Sequence, residues 1–214
     1  MNADLIAERA IDSLIHDFPT IDAVTIRRLY EDSVRTMSTA RVAQFTPALA
    51  ERLARERLRA VASGGATGDR SIPGVLFLCV HNAGRSQMAA GWFRALAAGR
   101  AAVYSGGSEP AADLNPAVVA AMHEVGISIE DEFPKPWTDE VARAVDVIVT
   151  MGCGDECPVY PGVRVEDWEL EDPAGHGIEA VRPIRDDIEQ RVRALLTTLG
   201  VNVNQQVQSG SERA

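Results

Sequence analysis

Residues 74–93 read Gly-Val-Leu-Phe-Leu-Cys-Val-His-Asn-Ala-Gly-Arg-Ser-Gln-Met-Ala-Ala-Gly-Trp-Phe, and this stretch decides the fold. The apolar run at 75–80 predicts a buried parallel strand. Apolar residues that recur at helical spacing after Arg85 predict a helix. Because a strand-loop-helix unit directs loop amides and the positive end of the helix toward one point, the loop at 79–86 predicts an anion site.

The side chains of this loop suit an oxyanion. At its edge, Cys79 would be stabilised as a thiolate and could act as a nucleophile. Arg85 can donate two parallel hydrogen bonds to tetrahedral oxygens, and Gly84 lets the backbone approach the ligand closely. The alternative is an inert cysteine buried at a strand end. The residues predicted to bind the oxyanion are His81, Asn82, Ala83, Gly84, Arg85 and Ser86.

Length and composition limit the class of protein. The chain has 214 residues, of which 46% are hydrophobic, enough for one full domain and a small one. No apolar run approaches the roughly 20 residues that a membrane span needs, and no signal peptide is apparent. Three cysteines without an export signal predict a cytoplasmic protein whose thiols are reduced and functional.

The net charge of −10 is unevenly distributed. Residues 1–62 hold nine acidic residues and nine arginines, so the acidity lies wholly in residues 63–214. This distribution argues against a nucleic acid partner, because a phosphate backbone requires a basic surface. It also means that local donors must hold the oxyanion, since the overall charge does not attract it.

Residues 1–62 have the periodicity of three amphipathic helices. The first is predicted at 3–18, the second after a cap at Thr20 or Asp22, and the third after Thr46 with Pro47 in its first turn. A three-helix bundle of about 60 residues has a marginal core and commonly gains stability by oligomerising.

The remaining sequence alternates strands and helices. Residues 63–72 have the composition of a linker, and the polar residues 203–214 are predicted to be disordered. Between them, 73–202 predicts an α/β domain with a four-stranded parallel sheet flanked by helices. After the first strand and helix, the predicted elements are strands at 101–105, 147–151 and 163–168 and helices at 115–126, 138–145 and 178–199.

Two further thiols follow the third predicted strand. Cys153 and Cys157 lie among glycines, and ligands of parallel sheets bind beyond the carboxyl ends of strands. Half of a zinc site is one interpretation, but zinc needs four ligands and the nearest histidine, His176, is 19 residues from Cys157. The pattern favours a redox pair over a metal site or incidental thiols.

The Cys-x5-Arg-Ser loop resembles that of the low-molecular-weight tyrosine phosphatase superfamily, in particular its arsenate reductase branch. The resemblance includes Ser-Gly-Gly-Ser-Glu-Pro-Ala at 105–111 and the thiols Cys153 and Cys157. Phosphate is hydrolysed and never reduced, whereas As(V) can accept two electrons from thiols. The helical residues 1–62 resemble the N-terminal domain of actinobacterial members, which implies a homodimer.

The resemblance implies an arsenate reductase with phosphate or sulfate as substrate mimics and no tightly bound cofactor. Asp172, in an Asp-Pro turn, would be the general acid, with Glu171 as the alternative. Ser86 would hold the Cys79 thiolate, and Asn82 would brace the loop. A disulfide relay would then run from Cys79 to Cys153 and Cys157, and an external thiol system would reduce the enzyme, either thioredoxin or mycothiol with mycoredoxin.

Other functions remain open at the level of the sequence. A phosphotyrosine or small-molecule phosphatase would need only Cys79, Arg85 and Asp172. A non-catalytic protein could hold As(III) with three thiols. A small thiol such as mycothiol could attack the arsenate adduct directly, which would make Cys157 dispensable. The helical domain could also recruit a partner protein instead of forming a dimer.

Overall fold

A computed structural model of the protein describes residues 3–38, 46–63, 72–152 and 160–203. The predicted redox cysteines Cys153 and Cys157 lie outside the described residues. The same holds for most of the predicted linker at 63–72 and most of the predicted tail at 203–214. Among the helices that are described, none combines the length and apolar character needed to cross a membrane.

The described residues form seven helices and four strands. In chain order they are α1 (Ala3–Asp17), α2 (Ala23–Ser38), α3 (Thr46–Ala62), β1 (Gly74–Cys79), α4 (Arg85–Ala97), β2 (Ala102–Gly107), α5 (Pro116–Glu124), α6 (Asp139–Ala144), β3 (Val147–Met151), β4 (Arg164–Asp167) and α7 (Ile178–Thr198). The elements predicted from the sequence occur in this order, with small differences at their ends.

The contacts divide the chain into two compact units. The first contains α1, α2, α3 and the short helix α6, and the second contains the sheet with α4, α5 and α7. The predicted domain limits at 1–62 and 73–202 stay a prediction, and α6 packs against α3 although it lies within the second of those ranges.

The four strands of the second unit form one parallel sheet in the order β2-β1-β3-β4. This confirms the predicted fold class. Strand β1 is central and buried along its whole length, which explains its unbroken apolar sequence. Because Cys79 at the end of β1 is in register with Met151 at the end of β3, the loops that follow these two strands leave from adjacent positions.

The core of the second unit lies between the sheet and helices α4, α5 and α7. On β1, alternate side chains point into it, among them Phe77, whose ring centroid lies 5.8 Å from that of Phe93 and 5.7 Å from that of Trp168. This packing fixes the direction in which α4 leaves the loop. The same alternation places Cys79 on the face of the sheet that packs against α4, α5 and α7.

In the first unit, Arg57 is a buried cation that joins three elements. Its side chain is 5% exposed and its guanidinium lies 2.7 Å from Asp32 Oδ2 and 2.9 Å from Glu140 Oε1. The hydrogen bond from Arg57 lowers the pKa of Asp32. Burial raises the pKa of Glu140, but the hydrogen bonds that its carboxylate accepts, foremost from Arg57, together with the charge of Arg57 lower it by more, so that the net shift is also downward.

We expect Arg57→Met to lower the free energy of unfolding by about 1–3 kcal/mol at pH 7, because it removes the buried donor that Asp32 and Glu140 share and leaves Asp32 with the exposed Arg35. Both carboxyl groups have lower pKa values in the folded state than in the unfolded chain. Their contribution is therefore present above about pH 4 and is lost as the pH falls through the folded-state values. Urea unfolding at pH 7 and pH 3, with the exposed Arg59→Met as control, measures this. If Arg57→Met lowered the free energy of unfolding equally at pH 7 and pH 3, the two ion pairs would not be the source of the stabilisation.

Candidate active site

The Cys79 sulfur lies where β1 ends and the loop to α4 begins. Cys79 is 2% exposed, and its Sγ accepts a hydrogen bond from the Asn82 N–H at 3.2 Å. The Ser86 hydroxyl oxygen lies 3.0 Å from the same sulfur. That oxygen accepts from Asn82 Nδ2 at 2.8 Å, which leaves the hydroxyl proton to donate to sulfur. Two donors therefore point at Cys79, and such an arrangement stabilises a thiolate.

Asn82 has an unusual backbone conformation in the middle of this loop. Its φ is 47°, in the left-handed region that asparagine tolerates better than most residues. The Asn82 side chain is buried, and its Oδ1 accepts from the backbone N–H of Lys135 at 3.0 Å. Asn82 thus contacts the nucleophile and the 133–136 segment together.

A small cavity of about 50 Å³ opens beside the Cys79 sulfur. This is about three times the ~15 Å³ that one water molecule requires, so the cavity suits a small polyatomic ligand. The residues that line it are Cys79, His81, Ala83, Gly84, Arg85, Asn115, Asp172, Pro173 and Ala174. The loop at 79–85 and the Asp-Pro turn at 172–174, almost ninety residues apart in sequence, thus meet around one space.

Arg85 and Asp172 form an ion pair at the cavity. Arg85 Nη2 donates to Asp172 Oδ2 at 2.7 Å, and the Arg85 side chain is 9% exposed whereas that of Asp172 is 49% exposed. The second carboxylate oxygen of Asp172 accepts from the Ala174 N–H at 3.0 Å. Asp172 lines the cavity and the alternative acid, Glu171, does not. The Arg85 guanidinium therefore binds the Asp172 carboxylate in the position where we expect it to bind an oxyanion ligand.

The remaining predicted oxyanion-binding residues occupy the same loop. Ala83 and Gly84 line the cavity, whereas Ser86 is fully buried behind it beside the sulfur. His81 also lines the cavity, and its Nδ1 lies 3.1 Å from the carbonyl oxygen of Glu109. In the part of the chain that the structure describes, no group of histidine, cysteine and acidic side chains has the arrangement of a metal site.

Asn115 is a residue of the site that the sequence indicated only as the start of a predicted helix. It caps α5 by accepting from the Ala117 N–H at 2.9 Å. Its own N–H donates to the Ala83 carbonyl at 3.0 Å, and its side-chain Nδ2 donates to the Pro173 carbonyl at 3.0 Å. Asn115 therefore connects the cysteine loop to the turn that carries Asp172.

Gly84 allows the same two segments to touch. A methyl group built on Gly84 would lie 2.8 Å from Cγ of Pro173, closer than real side chains approach. Any larger residue at position 84 would thus push the Asp172 turn away from the cysteine loop. The expected role of Gly84 was to admit a ligand to the backbone, and the structure adds this contact with Pro173.

Gly152 brings the end of β3 against Arg85. Its φ is 78°, and a methyl group built on it would lie 3.1 Å from Arg85 Nη1. Gly152, the last described residue before Cys153, therefore lies close to Arg85. Cys153 and Cys157 themselves lie outside the described residues.

Comparison with known proteins places this geometry in a family. Residues 74–207 match the family described as low molecular weight phosphotyrosine protein phosphatase. Residues 7–62 match the N-terminal domain of protein-tyrosine-phosphatase-like proteins. Over 128 residues the chain is 38% identical to a glutaredoxin arsenate reductase of Synechocystis sp., a match that covers 58% of this chain and 97% of that protein.

Solved structures agree with this assignment. A thioredoxin-dependent arsenate reductase from Corynebacterium glutamicum is 38% identical with a TM-score of 0.80, and the match covers 94% of this chain and 98% of that one. An arsenate reductase solved in its phosphate-binding state is 36% identical with a TM-score of 0.54, covering 60% and 99%. The resemblance predicted from the sequence is confirmed, and the chain belongs to the low molecular weight phosphotyrosine protein phosphatase family, in the branch that contains arsenate reductases.

Proposed function

We propose that this protein is an arsenate reductase that converts arsenate to arsenite at Cys79. The observation that carries the proposal is the cavity itself, where a thiol with two hydrogen-bond donors faces a nearly buried arginine and an Asp-Pro carboxylate. A tetrahedral oxyanion matches this set of groups in size and charge. The relatives that are named arsenate reductases favour arsenate as that oxyanion.

In the proposed first step, arsenate displaces the Asp172 carboxylate from Arg85 and binds to the guanidinium and the loop amides. The Cys79 thiolate attacks arsenic and forms a sulfur–arsenic bond. Asp172, released from Arg85 as a carboxylate, takes up a proton from solvent and passes it to the departing hydroxyl group of arsenate, which leaves as water. Arsenic remains As(V) in this adduct, so no electrons have yet been transferred.

In the proposed second step, the Cys153 thiolate attacks Cys79 Sγ. The sulfur–arsenic bond breaks and its electron pair stays on arsenic, which leaves as arsenite, As(III), while a Cys79–Cys153 disulfide forms. Cys157 then attacks Cys153, which releases the Cys79 thiolate and leaves a Cys153–Cys157 disulfide. The closeness of Gly152 to Arg85 supports attack by Cys153, because Cys153 is the next residue in the chain.

An external dithiol would reduce the Cys153–Cys157 disulfide and complete the cycle. We favour thioredoxin, because a similar protein of known structure is thioredoxin-dependent. Mycothiol with mycoredoxin is the alternative, and it would attack the adduct without Cys157. Either donor implies a cytoplasmic enzyme, where thiols are kept reduced.

We also propose that the N-terminal helices pair two copies of the chain. A unit of this size has a small core, and it exposes large apolar side chains at Leu5 (47% exposed) and Val24 (78% exposed). Sedimentation of the full-length protein measures this directly. A monomer at micromolar concentration would favour recruitment of a different partner.

The experiment that tests the proposed function measures arsenite release from the purified protein with thioredoxin and its reductase, and separately with mycothiol and mycoredoxin. We expect sustained release with thioredoxin. Release only with mycothiol would keep the reductase but reject the proposed donor. Hydrolysis of aryl phosphates without arsenite release from either system would identify a phosphatase, and stoichiometric As(III) binding without turnover would identify a binding protein.

A further inference from the structure

Gln87 is a buried polar residue that the mechanism above does not use. It is the third residue of α4 and its side chain is fully buried. Its Nε2 lies 3.0 Å from the Asn82 carbonyl oxygen, 3.1 Å from Asn82 Oδ1 and 3.3 Å from the Phe133 carbonyl oxygen. One amide group thus donates to both the backbone and the side chain of the same loop residue.

These contacts bear on the conformation of Asn82. A left-handed backbone is unfavourable for any residue with a side chain, so neighbouring groups must hold it. Gln87 fixes the Asn82 carbonyl and, through Oδ1, the orientation of the Asn82 amide. That orientation is the one in which Nδ2 donates to Ser86.

The two donors to the Cys79 sulfur both depend on this arrangement. The Asn82 N–H that donates to Sγ belongs to the residue that Gln87 holds, and the Ser86 proton is directed to Sγ because Asn82 Nδ2 occupies the hydroxyl oxygen. Gln87 is not among the residues that line the cavity, and the hydrogen bonds described for its side chain do not include one to Cys79. Its effect on the sulfur would pass through Asn82.

We propose that Gln87 is a positioning residue for the reaction at Cys79, which holds Asn82 so that both donors stay aimed at the thiolate. This rests on the proposed function only in that Cys79 is the nucleophile. The competing explanation is that Gln87 merely joins α4 to the 133–136 segment. In that case its loss would lower stability without changing the reactivity of the sulfur.

The test uses the full chain with Cys153→Ser and Cys157→Ser, so that Cys79 is its remaining thiol. In this background Gln87→Met keeps the length of the side chain and removes its donors, and Gln87→Glu is a second variant of the same shape. Leu96→Ala, a buried position two to three turns further along α4, is the control for general loss of packing. The rate of alkylation of Cys79 by iodoacetamide is measured across pH, together with thermal unfolding.

We expect Cys79 in both Gln87 variants to be alkylated about 10–100-fold more slowly at pH 7. This is the size of effect seen in metal sites when a group that orients a metal ligand by a hydrogen bond is removed. The increase in rate with pH should occur at higher pH than in the parent. Leu96→Ala should melt earlier but keep the parental pH profile. A parental profile in whichever Gln87 variant folds would overturn the proposal. Because iodoacetamide needs no arsenate, this loss of reactivity would establish the role of Gln87 even if the parental protein with all three cysteines released no arsenite, the separate result that would reject the proposed function.

Discussion

Replacing Cys157 with serine is expected to permit one round of arsenite release per protein and then to stop turnover with thioredoxin. Without Cys157, the Cys79–Cys153 disulfide has no partner within the chain to resolve it, so the nucleophile stays blocked. Replacing Cys153 with serine should prevent even the first release, because no internal thiol can then attack the arsenate adduct. In both variants we expect the steady-state rate to fall by about 10³-fold or more, the scale seen when one member of a catalytic unit is removed.

Rapid quenching and measurement of arsenite per protein separate these two outcomes. Mass spectrometry of the quenched Cys157→Ser protein should find Cys79 joined to Cys153. Asp155→Asn, a change between the two thiols that leaves both in place, is the matched control and should turn over at the parental rate. Unchanged turnover of Cys157→Ser with thioredoxin would reject the relay, and would leave direct attack by an external thiol as the explanation.

The nucleophile and the anion loop were predictable because their signals are local. Residues 74–93 contain the strand, the loop and the helix in one stretch, and the packing of β1 and α4 depends on apolar periodicity that is visible in the sequence. The same holds for the sheet, since alternating strands and helices leave few arrangements other than a parallel one. The sequence predicted that Cys79 and the Cys153 segment follow the carboxyl ends of strands, whereas the adjacency of β1 and β3 is a finding of the structure.

The contacts that hold the site together were not predictable in this way. Asn115 and Pro173 are 58 residues apart, and nothing in either local pattern indicates that one donates to the carbonyl of the other. Asp172 was assigned through resemblance alone, because an Asp-Pro turn is common in any sequence. The burial of Gln87 was not predictable either, because a polar residue in the first turn of a helix is usually exposed. Its burial depends on how the 133–136 segment crosses the loop.

Replacing Arg85 with lysine is the second change for which we expect a large effect. Lysine keeps the charge but loses the planar pair of donors that matches two oxygens of a tetrahedral anion. The hydrogen bonds from the Asn82 N–H and the Ser86 hydroxyl to the Cys79 sulfur do not involve Arg85, so they should persist in this variant. We expect kcat/KM for arsenate to fall by about 10²–10³-fold, the usual cost of removing a donor that faces developing charge. Inhibition by phosphate should weaken in parallel.

Two further measurements separate lost anion binding from general damage. Alkylation of Cys79 by the neutral reagent iodoacetamide should stay within a few-fold of the parent, because that reaction does not use the guanidinium. Arg94→Lys, on the same helix but 49% exposed and paired with Glu132 at 3.0 Å, should retain parental kcat/KM. If Arg85→Lys kept parental kcat/KM, the anion would be bound mainly by backbone amides. The ion pair between Arg85 and Asp172 would then hold the acid in place and would have no part in binding substrate.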